Sequence, residues 1–330
     1  MPPETPGLHH VTAIAGDPQR NADFYVGVLG LRLVKRTVNH DDPETYHFYF
    51  GDGEGTPGTN ITFFPWRDRG RAGQFGAGQT QCVAYGIPAD SVDYWSSRLA
   101  DHDVAVKRFE RFGEAPERAS GDEPPAEEVL QFEDPDGIGL ELVASDGPTD
   151  AVPWADSPVP ERHQLRGLHS VTLAVESVEP TAELLTELLG FEHEASAGER
   201  HRYRSATGEF ASVVDVVETD RGRGRTGVGT VHHVAFRVED FDALEAYREA
   251  YLDWGLRSSV IIDRKYFHAL YAREPGGVLV ELSTMEPGVT ADEPLDGLGE
   301  SLVLPKELEG ERGAIERQLP PFDGPPVPEG

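Results

Sequence analysis

Two short stretches of the chain carry paired histidines, LHHVT (8–12) and VHHVAF (231–236). A neutral imidazole offers a lone pair on one ring nitrogen, which makes histidine a metal ligand and a proton carrier near neutral pH. Each pair opens an apolar, β-branched run whose alternation predicts a strand. Successive strand side chains point to opposite faces, so one histidine of each pair is expected to enter a given cavity while the other faces elsewhere. One isolated buried histidine is usually a satisfied core residue. Two in matched contexts, more than two hundred residues apart, ask for a shared site. Carboxylates recur in the same way: DPDGIGLELV (134–143) lies over EPGGVLVELS (274–283), and Glu141 and Glu281 each fall six residues after the proline of a Pro-x-Gly turn.

The elements that must position these groups also repeat. LHHVTAIAGDPQRNADFYVGVLG (8–30) aligns without a gap on LHSVTLAVESVEPTAELLTELLG (168–190), at an offset of 160. Each reads as a strand followed by a helix. In the first copy Asp17 is the predicted N-cap, Pro18 suits the first turn and Gly30 the stop, with Ala22, Tyr25, Val28 and Leu29 forming a core-facing stripe. CVAYGIPADSVDYW (82–95) matches HVAFRVEDFDALEAY (233–247) in the same sense. Four strand–helix–strands units follow, at 7–66, 80–144, 167–217 and 230–285. They divide the chain into an N-terminal module (1–145), a proline-rich linker (146–166), a C-terminal module (167–285) and a tail (286–330) with one short helix near 306–318. The glycine-rich stretch 67–79 lacks the Gly-Lys-Ser/Thr of a phosphate loop and is read as a linker.

Composition narrows the function classes. Basic residues number 29 and acidic residues 59, so the formal charge is 29 − 59 = −30, with lysine only at Lys35, Lys107, Lys265 and Lys306. Such a field repels nucleic acid and anionic membranes. It suits a halophile's surface, since at 1 M salt the screening length is only about 3 Å. Cys82 is the only cysteine, which excludes an internal disulfide and a zinc–thiolate cluster. The first residues lack the basic and apolar regions of a signal peptide, and no apolar run is long enough to span a bilayer. A cytoplasmic protein is expected.

The four-unit layout resembles the vicinal oxygen chelate superfamily, the glyoxalase, bleomycin-resistance and extradiol-dioxygenase group, over about residues 7–285. That resemblance implies an α+β fold of four βαβββ units, with curved mixed sheets forming two cups and ligands drawn from the first and last strands of each unit. The first-strand slots hold His10, Cys82, Ser170 and His233, and the last strands supply Glu141 and Glu281. Pairing unit one with two gives His10, Cys82 and Glu141, while three with four gives Ser170, His233 and Glu281; neither is a convincing site. Pairing one with four assembles His10, His233 and Glu281, and leaves Cys82, Ser170 and Glu141 in a metal-free cup. Two histidines and a carboxylate are the facial triad of non-haem iron(II) oxygenases.

At finer grain, the leading Gly-Leu-His-His-Val-Thr and the long tail resemble bacterial dioxygenases that open hydroquinones and chlorinated hydroquinones, and the related quinone-resistance proteins. The resemblance implies a metal on His10, His233 and Glu281, with Thr12, His232, Arg264 and Tyr271 nearby and His9 less directly. Fe(II) is the expected cofactor, with Mn(II), Ni(II) and Zn(II) as alternatives; the expected partners are a small aromatic diol and O2, and a homo-oligomer is open. Thr12 would hydrogen-bond substrate or oxygen, Arg264 would steady developing negative charge, and Tyr271 and His232 would move hydroxyl protons. The structural alternatives are an Arg264 that pairs with surface carboxylates, a Tyr271 that is a core tyrosine with a wet tip, and a His9 that only packs. His169 and His268 are read as structural, and Cys82 as a packing residue. A glyoxalase-type isomerase or lyase would take a fourth ligand from the last strand of unit one, but TNITFFPW (59–66) holds no carboxylate. A catechol extradiol enzyme would take both histidines from the second half, where Ser170 occupies one slot. A non-enzymatic binder of small aromatics is the remaining alternative.

Overall fold

The computed structural model describes residues 2–67, 70–112 and 126–326. Unit one runs β1 (Leu8–Ala15), α1 (Pro18–Ala22), β2 (Arg32–Asn39), β3 (Asp42–Gly51) and β4 (Asn60–Pro65). Unit two is β5 (Gln79–Ile87), α2 (Val92–Asp101), β6 (Lys107–Arg111), β7 (Glu127–Glu133) and β8 (Gly139–Ala144). Unit three is β9 (Leu168–Val175), α3 (Val178–Glu183), β10 (Phe191–Ala197), β11 (Arg200–Ser205) and β12 (Val213–Glu218). Unit four is β13 (Thr230–Val238), α4 (Phe241–Asp253), β14 (Ile262–Asp263), β15 (His268–Arg273) and β16 (Leu279–Thr284). In α1 the Asp17 carboxylate accepts from the Gln19 and Arg20 N–H groups, satisfying donors the first turn leaves open. The helix continues as a π-helical turn, Asp23–Val28, before Gly30 turns the chain at φ +74°. Ala22, Tyr25, Val28 and Leu29 are all buried.

Two eight-stranded mixed sheets result, in the orders β14-β15-β16-β13-β1-β4-β3-β2 and β10-β11-β12-β9-β5-β8-β7-β6. Unit one therefore shares a sheet with unit four, and unit two with unit three. Neither sheet is confined to one half of the sequence. The seams are the antiparallel pairs β1·β13 and β5·β9. The glycine-rich stretch after β4 crosses between the sheets beside its counterpart before β13: the Gly73 N–H donates to the Val228 carbonyl and Gln74 to Arg225, both at 2.8 Å.

The tail is strapped to the first sheet. Its helix α5 (Arg312–Gln318) lies within the expected 306–318 and buries Ile315, and Phe322 packs 4.7 Å from Phe48. Lys35 is fully buried, with its ammonium on Asp292 at 2.8 Å and on Glu293; Lys265 pairs with Asp292 as well. A buried charge that loses its partner costs far more than an exposed one, about 3 kcal/mol or more. Lys35→Met is therefore expected to lower the urea midpoint by that equivalent, through the stranded Glu293. A midpoint unchanged by the substitution would show that the clamp contributes nothing.

Candidate metal centre

The seam β1·β13 sets Thr12 opposite His233 and His10 opposite Ala235, and the register slips between Leu8 and His10 and again between Thr12 and Ala13. His9 on one strand and His232 on the other are thus the extra residues of two β-bulges, which re-aim side chains locally. The strict alternation expected from sequence fails at both places. Instead of facing opposite sides, His9 and His10 meet with their Nδ1 atoms 2.8 Å apart, and His232 and His233 do the same at 2.8 Å. The second seam slips at the matching residues, Gln81 and His169, so the bulge belongs to the fold and not to histidine.

Those contacts decide which nitrogen faces the cavity. Burial disfavours the charged form of three of these imidazoles: His9 is pushed down to about 4, His232 down to about 3, and His10 well below its ordinary value. Were a cation held by the two Nε2 lone pairs, the remaining proton of His10 and of His233 would sit on Nδ1 and be donated backwards to His9 and His232, the arrangement that outer partners impose on metal-bound histidines. The two Nε2 atoms lie 3.4 Å apart. Glu281 Oε2 is 2.7 Å from His233 Nε2 and 3.7 Å from His10 Nε2. The Ser283 hydroxyl donates to the other oxygen, Oε1, at 2.7 Å, whereas Oε2 is buried with no hydrogen-bond donor aligned on it. Burial alone would raise the Glu281 carboxyl, but His233 and His10 beside it hold it below the ordinary carboxylate range.

Among the described residues this is the one group of three His, Cys, Asp or Glu side chains whose ligating atoms converge, all within 4.8 Å. A buried carboxylate oxygen converging with two imidazole Nε2 atoms is the environment a divalent cation satisfies. The residues fit the metal.

A cavity of about 240 Å³ opens in front of the triad, and Thr12, His232, Arg264 and Tyr271 all line it. Tyr271 on β15 is paired directly with Glu281 on β16, which places its ring 5.6 Å from that of His233. Burial first, then Glu281, pushes its phenol well above the ordinary value, so it is a donor. Arg264 donates to the Tyr271 oxygen at 3.3 Å and pairs with Asp41 at 3.2 Å, so its expected surface pairing and its place at the cavity hold together. His9 lies behind the cavity, against Phe267 at 5.2 Å. The aromatic strand 59–66, singled out in the sequence as an apolar wall without a carboxylate, supplies Phe64 and Trp66; the sequence reading missed His47 and Tyr49 beside them. The signal was a lone histidine in the aromatic run ETYHFYF, with no partner in view.

Parallel pairing also locates the position a fourth protein ligand would take. Asn60 on β4 stands opposite His10, so Thr62 lies two residues beyond it; Glu281 likewise lies two beyond the residue opposite His233. Thr62 holds the slot, and its hydroxyl is spent on Thr12 at 2.8 Å and His47 at 3.0 Å.

The second cup answers the same register with Cys82, Ser170, Glu141 and Asp215. Asp215 escaped the sequence reading. Here guanidinium groups meet the carboxylates: Arg111 on Glu141 at 2.6 Å, Arg200 on Asp215 at 2.7 Å and the fully buried Arg202 on Asp215 at 2.8 Å, with Glu127 bridging Arg111 and Arg202. Burial pushes the Cys82 thiol up to about 12, so it stays protonated as a packing residue. His169 packs into this network 3.3 Å from Glu127, and His268 stands 5.4 Å from Phe241 on the outer side.

With fold and site in place, the class follows: the chain belongs to the Glyoxalase/Bleomycin resistance protein/Dioxygenase superfamily, whose sequence pattern matches residues 7–142 and 167–282. It is 41% identical over 323 residues to MhqO of Bacillus subtilis (strain 168), provisionally named a ring-cleaving dioxygenase, covering 98% of both chains. It is 35% identical over 328 residues to the chlorohydroquinone/hydroquinone 1,2-dioxygenase of Sphingobium indicum, covering 97% of each. A crystal structure of a provisionally named Bacillus subtilis dioxygenase superposes with a TM-score of 0.90 at 41% identity, over 97% of this chain and 98% of that one. Glyoxalase I from Zea mays shares the fold, with a TM-score of 0.58 at 17% identity over 86% of this chain and 93% of that one.

Proposed function

We propose that this protein is a non-haem iron(II)-dependent dioxygenase that cleaves the ring of a hydroquinone-like aromatic diol. The observation that carries the reading is a two-histidine, one-glutamate group at the floor of an aromatic-walled cavity, with a threonine in the fourth slot. The names of the relatives point the same way. When bound, iron would supply Lewis acidity and an electron path between ring and dioxygen, and a facial triad leaves it room for both. The diol ring provides all the electrons that O2 consumes, so no external reductant is required.

The chain's own residues do the rest. His9 and His232 hold the ligand imidazoles by their Nδ1 atoms. A para-diol presents one oxygen to the metal, so protein donors must orient the ring: Thr12 near the first oxygen, Tyr271 and Arg264 beside it. His232, whose Nδ1 takes the His233 proton, is left with its own proton on Nε2 as a donor at the cavity, and Arg264 offsets the negative charge of an ionised hydroxyl. A four-ligand isomerase or lyase is disfavoured because Thr62 is already engaged by Thr12 and His47.

The test is oxygen uptake by protein loaded with Fe(II) under argon, run in molar salt to screen the charge of −30. Methylhydroquinone and catechol are offered in parallel, with His233→Ala as control. Uptake with methylhydroquinone, a ring-opened product and no uptake from the variant are expected; silence with both diols from a metal-replete protein sinks the proposal. Cavity size gives a second expectation. A cavity of about 150 Å³ accepts benzene, so about 240 Å³ holds one ring with small substituents. Methylhydroquinone should turn over at least about tenfold faster than phenylhydroquinone, as kcat/KM, since displacing a packed wall costs about 1.4 kcal/mol or more. Equal rates would mean the wall yields.

A further inference from the structure

We propose that His47 is a positioning residue that, through Thr62, aims the Thr12 hydroxyl proton at the oxygen of a bound phenol. The inference rests on the reading of this cavity as one that takes a phenolic oxygen.

Three neighbouring strands build the chain. Thr12 on β1 is paired with Thr62 on β4, which is paired with Tyr49 on β3, two residues from His47. Thr62 Oγ1 lies 2.8 Å from Thr12 Oγ1 and 3.0 Å from His47 Nε2. The His47 ring is wedged between Tyr49 and Phe64, with centroids 4.3 and 4.4 Å away, so it cannot turn to another partner without unpacking the wall. A hydroxyl owns one proton and two lone pairs. If His47 carries its proton on Nε2 and donates to Thr62, then Thr62 donates to Thr12, and the Thr12 proton is left for the cavity. Run the other way, the chain would leave Thr12 as an acceptor. A phenolate oxygen accepts only, so the chain that serves it runs from His47 outward. Hydrogen bonds in series polarise one another, which strengthens the last donor. Thr62 stands where a four-ligand site would carry a metal-binding side chain, so the same position that withholds a ligand from the metal relays orientation to the substrate.

The experiment measures affinity, without turnover, on Fe(II)-loaded protein under argon at alkaline pH. The probes are 4-nitrophenolate and 4-nitrotoluene, which differ in the oxygen that the Thr12 proton would meet. His47→Phe keeps a ring in the wedge and removes the donor. It is expected to weaken 4-nitrophenolate roughly tenfold, the loss of one hydrogen bond to a charged acceptor, and to leave 4-nitrotoluene within about twofold. His47→Gln, which retains an N–H in reach of Thr62, should recover most of the loss. Thr62→Val should match His47→Phe, and the double variant should be no worse than either, as for residues acting as one unit. Should His47→Phe fail to fold, Thr62→Val carries the comparison alone. Equal binding of 4-nitrophenolate by His47→Phe and wild type, or equal losses for both probes, overturns the proposal. A wild type with no preference for 4-nitrophenolate over 4-nitrotoluene overturns the phenol reading itself, and this inference with it.

Discussion

Glu281→Gln abolishes stoichiometric metal binding and lowers oxygen uptake by about a thousandfold or more, and it removes the rise in stability that added metal gives the wild type. The first half follows from charge. Glu281 is the only anion facing His10 and His233 within the converging group, and glutamine keeps its shape but presents a neutral amide. Losing an outer partner of a metal ligand typically costs roughly 10- to 100-fold in affinity, and losing the charged ligand itself must exceed that. The second half follows from linkage: a metal that binds only the folded state adds about 2.7 kcal/mol at a hundredfold excess over Kd, and a variant that cannot hold it gains nothing. The measurement is metal content after desalting, together with thermal midpoints with and without added Fe(II). Wild type should rise on loading and the variant should not. A variant that retains one metal per chain would remove Glu281 from the ligand set.

Arg202→Met in the second cup should be as damaging to stability as Glu281→Gln is to metal binding. Arg202 is wholly buried, donates to Asp215 at 2.8 and 3.0 Å and to Glu127, and stacks 4.1 Å over Phe112. Removing one partner from such a network strands the others, at a cost of about 3–5 kcal/mol, which is a large share of a typical folding free energy of about 5–15 kcal/mol. A fall in Tm on the order of 10 °C is expected. Asp215→Leu combined with Arg202→Met should recover only part of it, because Arg200 and Glu127 each still lose a partner. Metal content in the first cup should stay at wild-type level. Burial pushes the Asp215 carboxyl up, but the Arg202 guanidinium overrides it and holds the group below the ordinary range. A depressed folded pKa contributes stability that is present above the unfolded value and lost as pH falls through the folded one. The network's contribution should therefore survive mild acid and disappear only below the ordinary carboxylate range. Little change in Tm for Arg202→Met would mean that Arg111 and Arg200 carry the pair without it.

The histidine pairs, the six-residue offset from proline to Glu281 and the fourfold strand–helix pattern were legible because each is local: a slot recurs at the same place in every repeat, and strand and helix periods write themselves into neighbouring residues. The absence of a carboxylate in 59–66 was legible for the same reason. The rest was decided across strands that the sequence does not align. His9 and His232 became buttresses because a bulge forms only where β1 is paired with β13, two strands from opposite ends of the chain, and alternation along either strand alone points the other way. His47 meets Thr62, and Arg202 meets Asp215, only after β3 lies beside β4 and β11 beside β12, so neither contact has a spacing of its own. The amino-acid sequence determined which side chains stand ready as ligands; the tertiary pairing decided which nitrogens face the cavity, what fills the fourth slot, and that arginine guanidinium groups meet the carboxylates of the second cup.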